Sequence, residues 1–174
     1  MSREQRAESI AIGSVSQDRI GPIWVAMSPK GLVGLHMKTD EEGVRAHYSG
    51  HRVEVGADRV EPVLKQLTAY FDGKQREFDV NIDWSGLTSF QQQVLRLVLE
   101  IPYGQTRTYQ EIAQHLGNAG AARAVGRANA TNPMPIVIPC HRVLGADGSL
   151  HGYGGYGGVE TKAWLLKLEG SRLL

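Results

Sequence analysis

The 174-residue sequence contains one cysteine, Cys140. A single cysteine excludes an internal disulfide and a cysteine-rich zinc site. No apolar run approaches the roughly 20 residues that a membrane-spanning helix requires. The first ten residues, MSREQRAESI, lack the apolar centre of a secretory signal. The sequence therefore predicts a cytoplasmic protein without membrane association. Charge of one sign is not in excess either: the net charge is +1, so the molecule as a whole is no polycation.

The charges are unevenly spread. From Arg96 to Arg142 stand five arginines (Arg96, Arg107, Arg123, Arg127 and Arg142) and two acids, Glu100 and Glu111. Such a local excess suits a polyanion, although arginines along a helix usually form only a solvated face. A lone cysteine, by composition, is more often a small buried hydrophobe than a nucleophile.

The first half reads as a small α+β unit, here residues 1–82. Pro22 to Met27 and Leu32 to Met37 are short apolar runs around Ser28-Pro29-Lys30-Gly31, which predicts a β-hairpin. Val60, Val63, Leu64, Leu67, Tyr70 and Phe71 recur at helical spacing, predicting a helix over Arg59 to Phe71 that stops at Gly73. Phe78, Val80 and Ile82 alternate with polar residues, as in a half-buried strand. No catalytic group is expected in this half, whose role reads as scaffolding.

Residues 83–88 read as a linker, and residues 89–174 as a second, mainly helical unit. Ser89 and Gln92 are spaced as a capping box opening a helix with Phe90, Val94, Leu97, Val98 and Ile101 on one face. Thr108 and Glu111 repeat the pattern before a helix over Tyr109 to Leu116, and a third helix follows over Ala121 to Ala130. Two short helices about a glycine-containing turn predict a helix-turn-helix, with a plain helical hairpin as the alternative. The second helix is nearly bare (Ala121, Ala122, Ala124, Val125, Gly126, Ala128), which permits close backbone approach to a narrow groove rather than base-edge reading.

Asn132 to Val143 reads NPMPIVIPCHRV. Three prolines within seven residues forbid a helix, and the segment is expected to be stiff and extended. Cys140 is followed by His141, the obvious base for a thiol that must react as its thiolate. In an extended chain neighbours point to opposite sides, so a Cys-His contact requires a turn at Cys140. Spacing alone does not identify a third member, although Glu169 is available to orient the histidine.

IPCHRV (Ile138 to Val143), preceded by GAARAVGRANATNP and NPMP, strongly resembles the O6-alkylguanine-DNA alkyltransferases, or methylated-DNA–protein-cysteine methyltransferases. The likeness continues through IPYGQTRTYQEIA (Ile101 to Ala113) and KAWLLKLEG (Lys162 to Gly170), and more loosely through LTAYFDGKQREFDV in the first half. It implies a mixed α+β fold whose second unit is a winged-helix-like helix-turn-helix. It also implies one irreversible transfer of an alkyl group from O6-alkylguanine, and from O4-alkylthymine, in duplex DNA to Cys140.

The resemblance further implies roles for individual residues. His141 is the base acting through a bridging water, Glu169 the acid that holds it, and Asn132 the hinge that braces the relay. Arg123 is the finger filling the stack left by a flipped nucleotide, and Tyr109 crowds the target phosphate and donates toward the purine. Gln110, Ala121, Ala122 and Gly126 fall at the minor-groove backbone, and Pro135 lines the alkyl pocket. One departure concerns the pocket loop, Gly152-Tyr153-Gly154-Gly155-Tyr156-Gly157-Gly158, where the family has one Gly-Tyr-x-Gly-Gly. Counted from Cys140, Tyr153 is in register; counted back from Lys162, Tyr156 is, so either tyrosine, with Gly154, is a candidate pocket wall. No metal, cofactor or obligate protein partner is expected beside double-stranded DNA. The alternative remains a non-catalytic helix-turn-helix DNA-binding protein with a structural cysteine.

Overall fold

The computed structural model describes residues 9–56, 58–151, 153 and 158–171. Four strands form the first sheet: β1 (Ser9–Gln17), β2 (Gly21–Ser28), β3 (Gly31–Met37) and β4 (Arg52–Val55), in the order β3-β2-β1-β4. The predicted hairpin is β2–β3, antiparallel, with a bulge at Ala26/Met27. β1 pairs antiparallel with β2 and parallel with β4, the parallel crossover running through α1 (Glu41–His47). Neither β1, α1 nor β4 was anticipated from the sequence. α1 is capped by Asp40, whose side chain accepts from the Gly43 N–H at 2.9 Å.

Side chains alternate across the sheet. Ile10, Ile12 and Ala26 pack with Val44 and Tyr48 on the α1 face. On the other face Ala11, Val25 and Met27 meet Val60, Val63, Leu67 and Tyr70 of the α2 region (helix Glu61–Phe71). That second cluster continues without a break through Val94, Val125, Ile138 and Cys140 to Leu165. The site is therefore built on one core shared by both halves of the chain.

The expected strand at Phe78–Ile82 does not form. Its burial alternates as read, but the only ladder contact is a bridge between Ile82 and Leu32. Its backbone is satisfied elsewhere: Asp79 N–H donates to Gln66 Oε1 (2.7 Å), and Gln66 Nε2 donates to the Asp79 carbonyl (2.9 Å). A side chain has replaced a neighbouring strand. The 83–88 segment is likewise anchored, with Asp83 buried and accepting from Ser28 Oγ at 2.6 Å.

Helix α3 (Ser89–Leu99) opens with the capping box one residue earlier than read, Thr88 with Gln91. Its buried residues are Val94, Leu95 and Val98, whereas Phe90, expected on the same face, is exposed. The capping box Thr108–Glu111 is as read and opens α4 (Tyr109–His115). A single 3-10 turn (Ala119–Ala121) then leads into α5 (Ala122–Ala130). β5 (Arg107–Thr108) and β6 (Val143–Leu144) form a short parallel pair beside these helices, and α6 (Gly158–Leu168) completes the unit. The architecture is mixed α+β, a sheet-plus-helix part followed by a mainly helical part. No helix among the described residues is long and apolar enough to cross a membrane.

Candidate active site around Cys140

The proline-rich segment is not the extended rod expected from its sequence. It folds back on itself between Pro135 and Ile138, with Ile138 N–H donating to the Met134 carbonyl at 2.9 Å. Asn132 holds this turn from inside: its Nδ2 donates to the Ile138 carbonyl (2.9 Å) and its Oδ1 accepts from Met134 N–H (3.0 Å). The turn carries Ile136 at φ +73, a conformation costly for a β-branched residue. Proline forbids helix but permits turns, and the asparagine supplies the partners that an extended chain would have lacked. The required turn at the cysteine is present as one 3-10 turn, Cys140–Arg142.

Within that turn all three side chains are buried, and two converge on Glu169. His141 Nε2 lies 2.8 Å from Glu169 Oε1. Arg142 donates twice, from Nε to Oε2 and from Nη2 to Oε1, each at 2.9 Å. Tyr70 Oη donates to Oε1 at 2.7 Å, and the Gly104 N–H to Oε2 at 3.3 Å. Gly104 sits at φ +77, and a Cβ there would stand 2.9 Å from the Glu169 carbonyl oxygen, so glycine is required twice over.

This arrangement fixes the protonation states. Burial opposes ionisation of Glu169, but the donors from His141 and Arg142 outweigh it and hold its carboxyl far below the usual range. An ionised carboxylate only accepts, so His141 must present Nε2–H to it. Burial also lowers the His141 proton affinity, opposed by Glu169 and helped by the Arg142 and Lys162 charges, so the ring is neutral near pH 7. The free lone pair is then on Nδ1, which is buried and has no hydrogen-bond partner among the described residues. A neutral imidazole with its lone pair fixed in place is a base in waiting.

Cys140 is 2 % exposed, and burial pushes its thiol up to about 11 despite the Asn132 amide and the Lys162 charge, which favour the thiolate. At rest it is a thiol, which must surrender its proton at the moment it reacts. Lys162 is fully buried and donates to the carbonyls of Val143 and His151, the latter at 2.8 Å. Burial lowers its proton affinity to about 8, against the opposing effect of a Cys140 thiolate. Tyr109, the first residue of α4, donates from Oη to the same His151 carbonyl at 3.0 Å. Asn129 of α5 donates to the carbonyl of Cys140 at 3.1 Å.

Cys140, His141, Glu169 and Asn132 are thus brought together, with Tyr109 joined to them through α5. Pro135 lies in the buried turn. Ala121, Ala122 and Gly126 line a half-buried stretch of the α5 region, with Arg123 exposed beside them. A Cβ at Gly126 would reach the Tyr109 ring at 3.8 Å, so this helix passes close over the tyrosine. The Gln110 amide donates to the Ala119 carbonyl at 2.9 Å and steadies the turn between α4 and α5. Tyr153 is buried in the shared core. Gly154 and Tyr156 lie outside the described residues.

Two sequence expectations are corrected here. Arg142 is no part of a polyanion-facing set, since it is buried and committed to Glu169. The first half is not free of site residues, because Tyr70 reaches Glu169 from α2. Lys162 and Asn129 were also missed; both stood in quoted motifs, but nothing local marks a lysine or an asparagine as buried. Among the described residues no group of three or more His, Cys, Asp or Glu is placed to hold a metal ion.

Comparison with known proteins shows the family of the chain. Residues 15–84 match the ribonuclease-like domain, and residues 89–171 the DNA-binding domain, of the 6-O-methylguanine DNA methyltransferase family. A methylated-DNA–protein-cysteine methyltransferase of Mycobacterium tuberculosis is 48% identical over 154 residues, spanning 88% of each chain. Its counterpart in Methanosarcina barkeri is 43% identical, over 91% of this chain and 97% of that one. The crystal structure of Mycobacterium tuberculosis OGT in complex with DNA superposes with a TM-score of 0.78 at 43% identity, over 91% of this chain and 92% of the other. With nearly half of its residues shared over most of its length, this chain belongs to the 6-O-methylguanine DNA methyltransferase family.

Proposed function

We propose that the protein repairs DNA by direct reversal, moving the alkyl group of O6-alkylguanine, or of O4-alkylthymine, in duplex DNA onto Cys140 Sγ in a single turnover. One observation carries this reading: the cysteine shares a turn with a neutral histidine whose Nε2–H is committed to an ionised carboxylate. His141 Nδ1 takes the thiol proton through a bridging water, and sulfur attacks the alkyl carbon. The C–O bond breaks toward the purine, which is neutralised by a proton from Tyr109. The product is a thioether, whose C–S bond has no good leaving group, so the protein is consumed.

The alkylated oxygen lies inside a base stack, so the nucleotide must first be extruded, at a cost of a few kcal/mol. In this reading Arg123 fills the gap, while Gln110, Ala121, Ala122 and Gly126 let α5 approach the minor-groove backbone. Pro135, with Tyr153 or Tyr156 and Gly154, walls the alkyl pocket. Residues 1–82 act as a scaffold, 83–88 as a linker and 89–174 as the DNA-binding and catalytic unit. The protein works in the cytoplasm on double-stranded DNA, without a cofactor, metal or obligate protein partner.

Titrating a duplex containing O6-methylguanine against the protein tests the reading. Repair should stop at one lesion per chain. Repair of many lesions per chain would indicate a hydrolase, and none at all a DNA-binding protein with a structural cysteine.

A further inference from the structure

Building on the alkyl-transfer reading above, we propose that Lys162 is a positioning residue of that reaction: it holds the His151 carbonyl so that the Tyr109 hydroxyl is free to leave it and protonate the departing purine. A phenol carries a single O–H, which at rest is committed to the His151 carbonyl at 3.0 Å. The same proton cannot serve the purine until that bond is broken. A carbonyl has two lone pairs, and the second at His151 is taken by Lys162 Nζ at 2.8 Å. When Tyr109 turns away, the carbonyl keeps its charge-assisted donor, the stronger of the two. Without the lysine, each departure of the hydroxyl would strip a part-buried carbonyl of its last partner.

Packing alone does not call for a lysine here. Lys162 lies on α6 and is fully buried, yet it makes no ion pair among the described residues. A methionine of similar length would fill the space without the cost of burying a charge. The ammonium also donates to the Val143 carbonyl, at the start of the chain segment that His151 ends. Lys162 thus ties down both ends of segment 143–151, whose inner turn is closed by the Gly145 N–H donating to the Ser149 carbonyl at 2.9 Å. The acceptor stays in place as the hydroxyl moves. Lys162 Nζ stands 5.8 Å from the Tyr109 ring centroid, so its charge favours the tyrosinate left behind.

As the C–S bond forms, the C–O6 bond breaks and its electron pair passes into the purine ring. The thiol proton goes to His141, the Tyr109 proton to a purine nitrogen, and the tyrosinate is reprotonated as His141 gives up its own. A proton donor helps most where the leaving purine is a strong base.

Lys162→Met is compared with the wild type in single-turnover transfer from free O6-benzylguanine, and from its 8-bromo analogue, whose purine departs as a weaker base. Transfer from O6-benzylguanine should slow by roughly five- to a hundredfold, the range set by one carbonyl left bare, and transfer from the analogue by clearly less. In a Tyr109→Phe background, with no hydroxyl to release, the same substitution should cost about threefold at most. Equal losses on both substrates, or the same loss in both backgrounds, would mean that Lys162 only supports the fold. Should Lys162→Met not fold, Lys162→Gln, too short to span both carbonyls, is held to the same outcomes. Tyr109→Phe transferring as fast as the wild type would remove the proton donor, and this inference with it. A wild-type chain that gains no benzyl mass overturns the transfer reading itself; a wild-type gain with equal losses overturns this inference alone.

Discussion

Tyr70 and Glu169, 99 residues apart, are joined by a 2.7 Å hydrogen bond inside the core. Burial and the neighbouring carboxylate both raise the Tyr70 proton affinity, so its hydroxyl stays protonated and donates. It is one of the ties by which the first half of the chain holds the acid that orients His141. Tyr70→Phe removes that donor without changing shape. It should cost about 1.5 kcal/mol in denaturant unfolding and slow alkyl transfer, while DNA affinity stays as in the wild type. Unchanged stability and rate would leave the sheet-bearing half without a part in the site.

Glu169 links stability to pH. Its folded proton affinity lies well below the unfolded value, so its stabilisation is full above the ordinary carboxylate range, near about 4.3. It is lost progressively as pH falls below that range toward the depressed folded value. Glu169→Gln leaves Arg142 buried without its countercharge and with one of its three hydrogen-bond acceptors lost, a cost of roughly 3 kcal/mol at pH 7. The gap between wild type and variant should narrow as the pH is lowered from 5 to 3. A gap that stays constant with pH would show that Glu169 is not ionised in the folded protein.

The helices of the second half were legible because capping boxes and apolar spacing are local signals. Thr108 with Glu111 needed no knowledge of the rest of the chain. Phe78 to Ile82 misled for the converse reason: alternation reports which side faces the core, not whether a neighbouring strand exists, and here Gln66 supplies the partner. The turn of Pro135 to Ile138 was hidden because its cause is a side chain, Asn132, gripping backbone on both sides. At the site, Cys140, His141 and Glu169 were readable through the family motifs. Tyr70 and Lys162 were not, since their importance comes from burial next to distant carbonyl and carboxylate groups.

Arg123 stands exposed on α5, whereas Glu169 is buried. If it serves as the wedge of the extruded nucleotide, Arg123→Ala should slow repair of alkylated duplex far more than reaction with the free alkylated base. Equal losses on both substrates would place Arg123 in the chemistry or the folding instead.

Binding to DNA should tolerate any sequence and weaken as salt rises. The α5 surface offers small residues to the groove, whereas exposed Arg123 and Arg127 can meet phosphates. Fluorescence anisotropy with unrelated duplexes between 50 and 200 mM salt (roughly the range over which counterion release is readily seen) checks this. Tight binding confined to one sequence and flat with salt would point to a regulator.

Cys140 itself should accept the alkyl group. Wild-type protein is incubated with duplex carrying isotopically labelled O6-methylguanine, digested, and the peptide containing IPCHRV is weighed and fragmented. One labelled methyl group is expected on Cys140 Sγ, none elsewhere, and none anywhere in Cys140→Ser, which should still bind the duplex. Label on another residue, or repair by the serine variant, would contradict it.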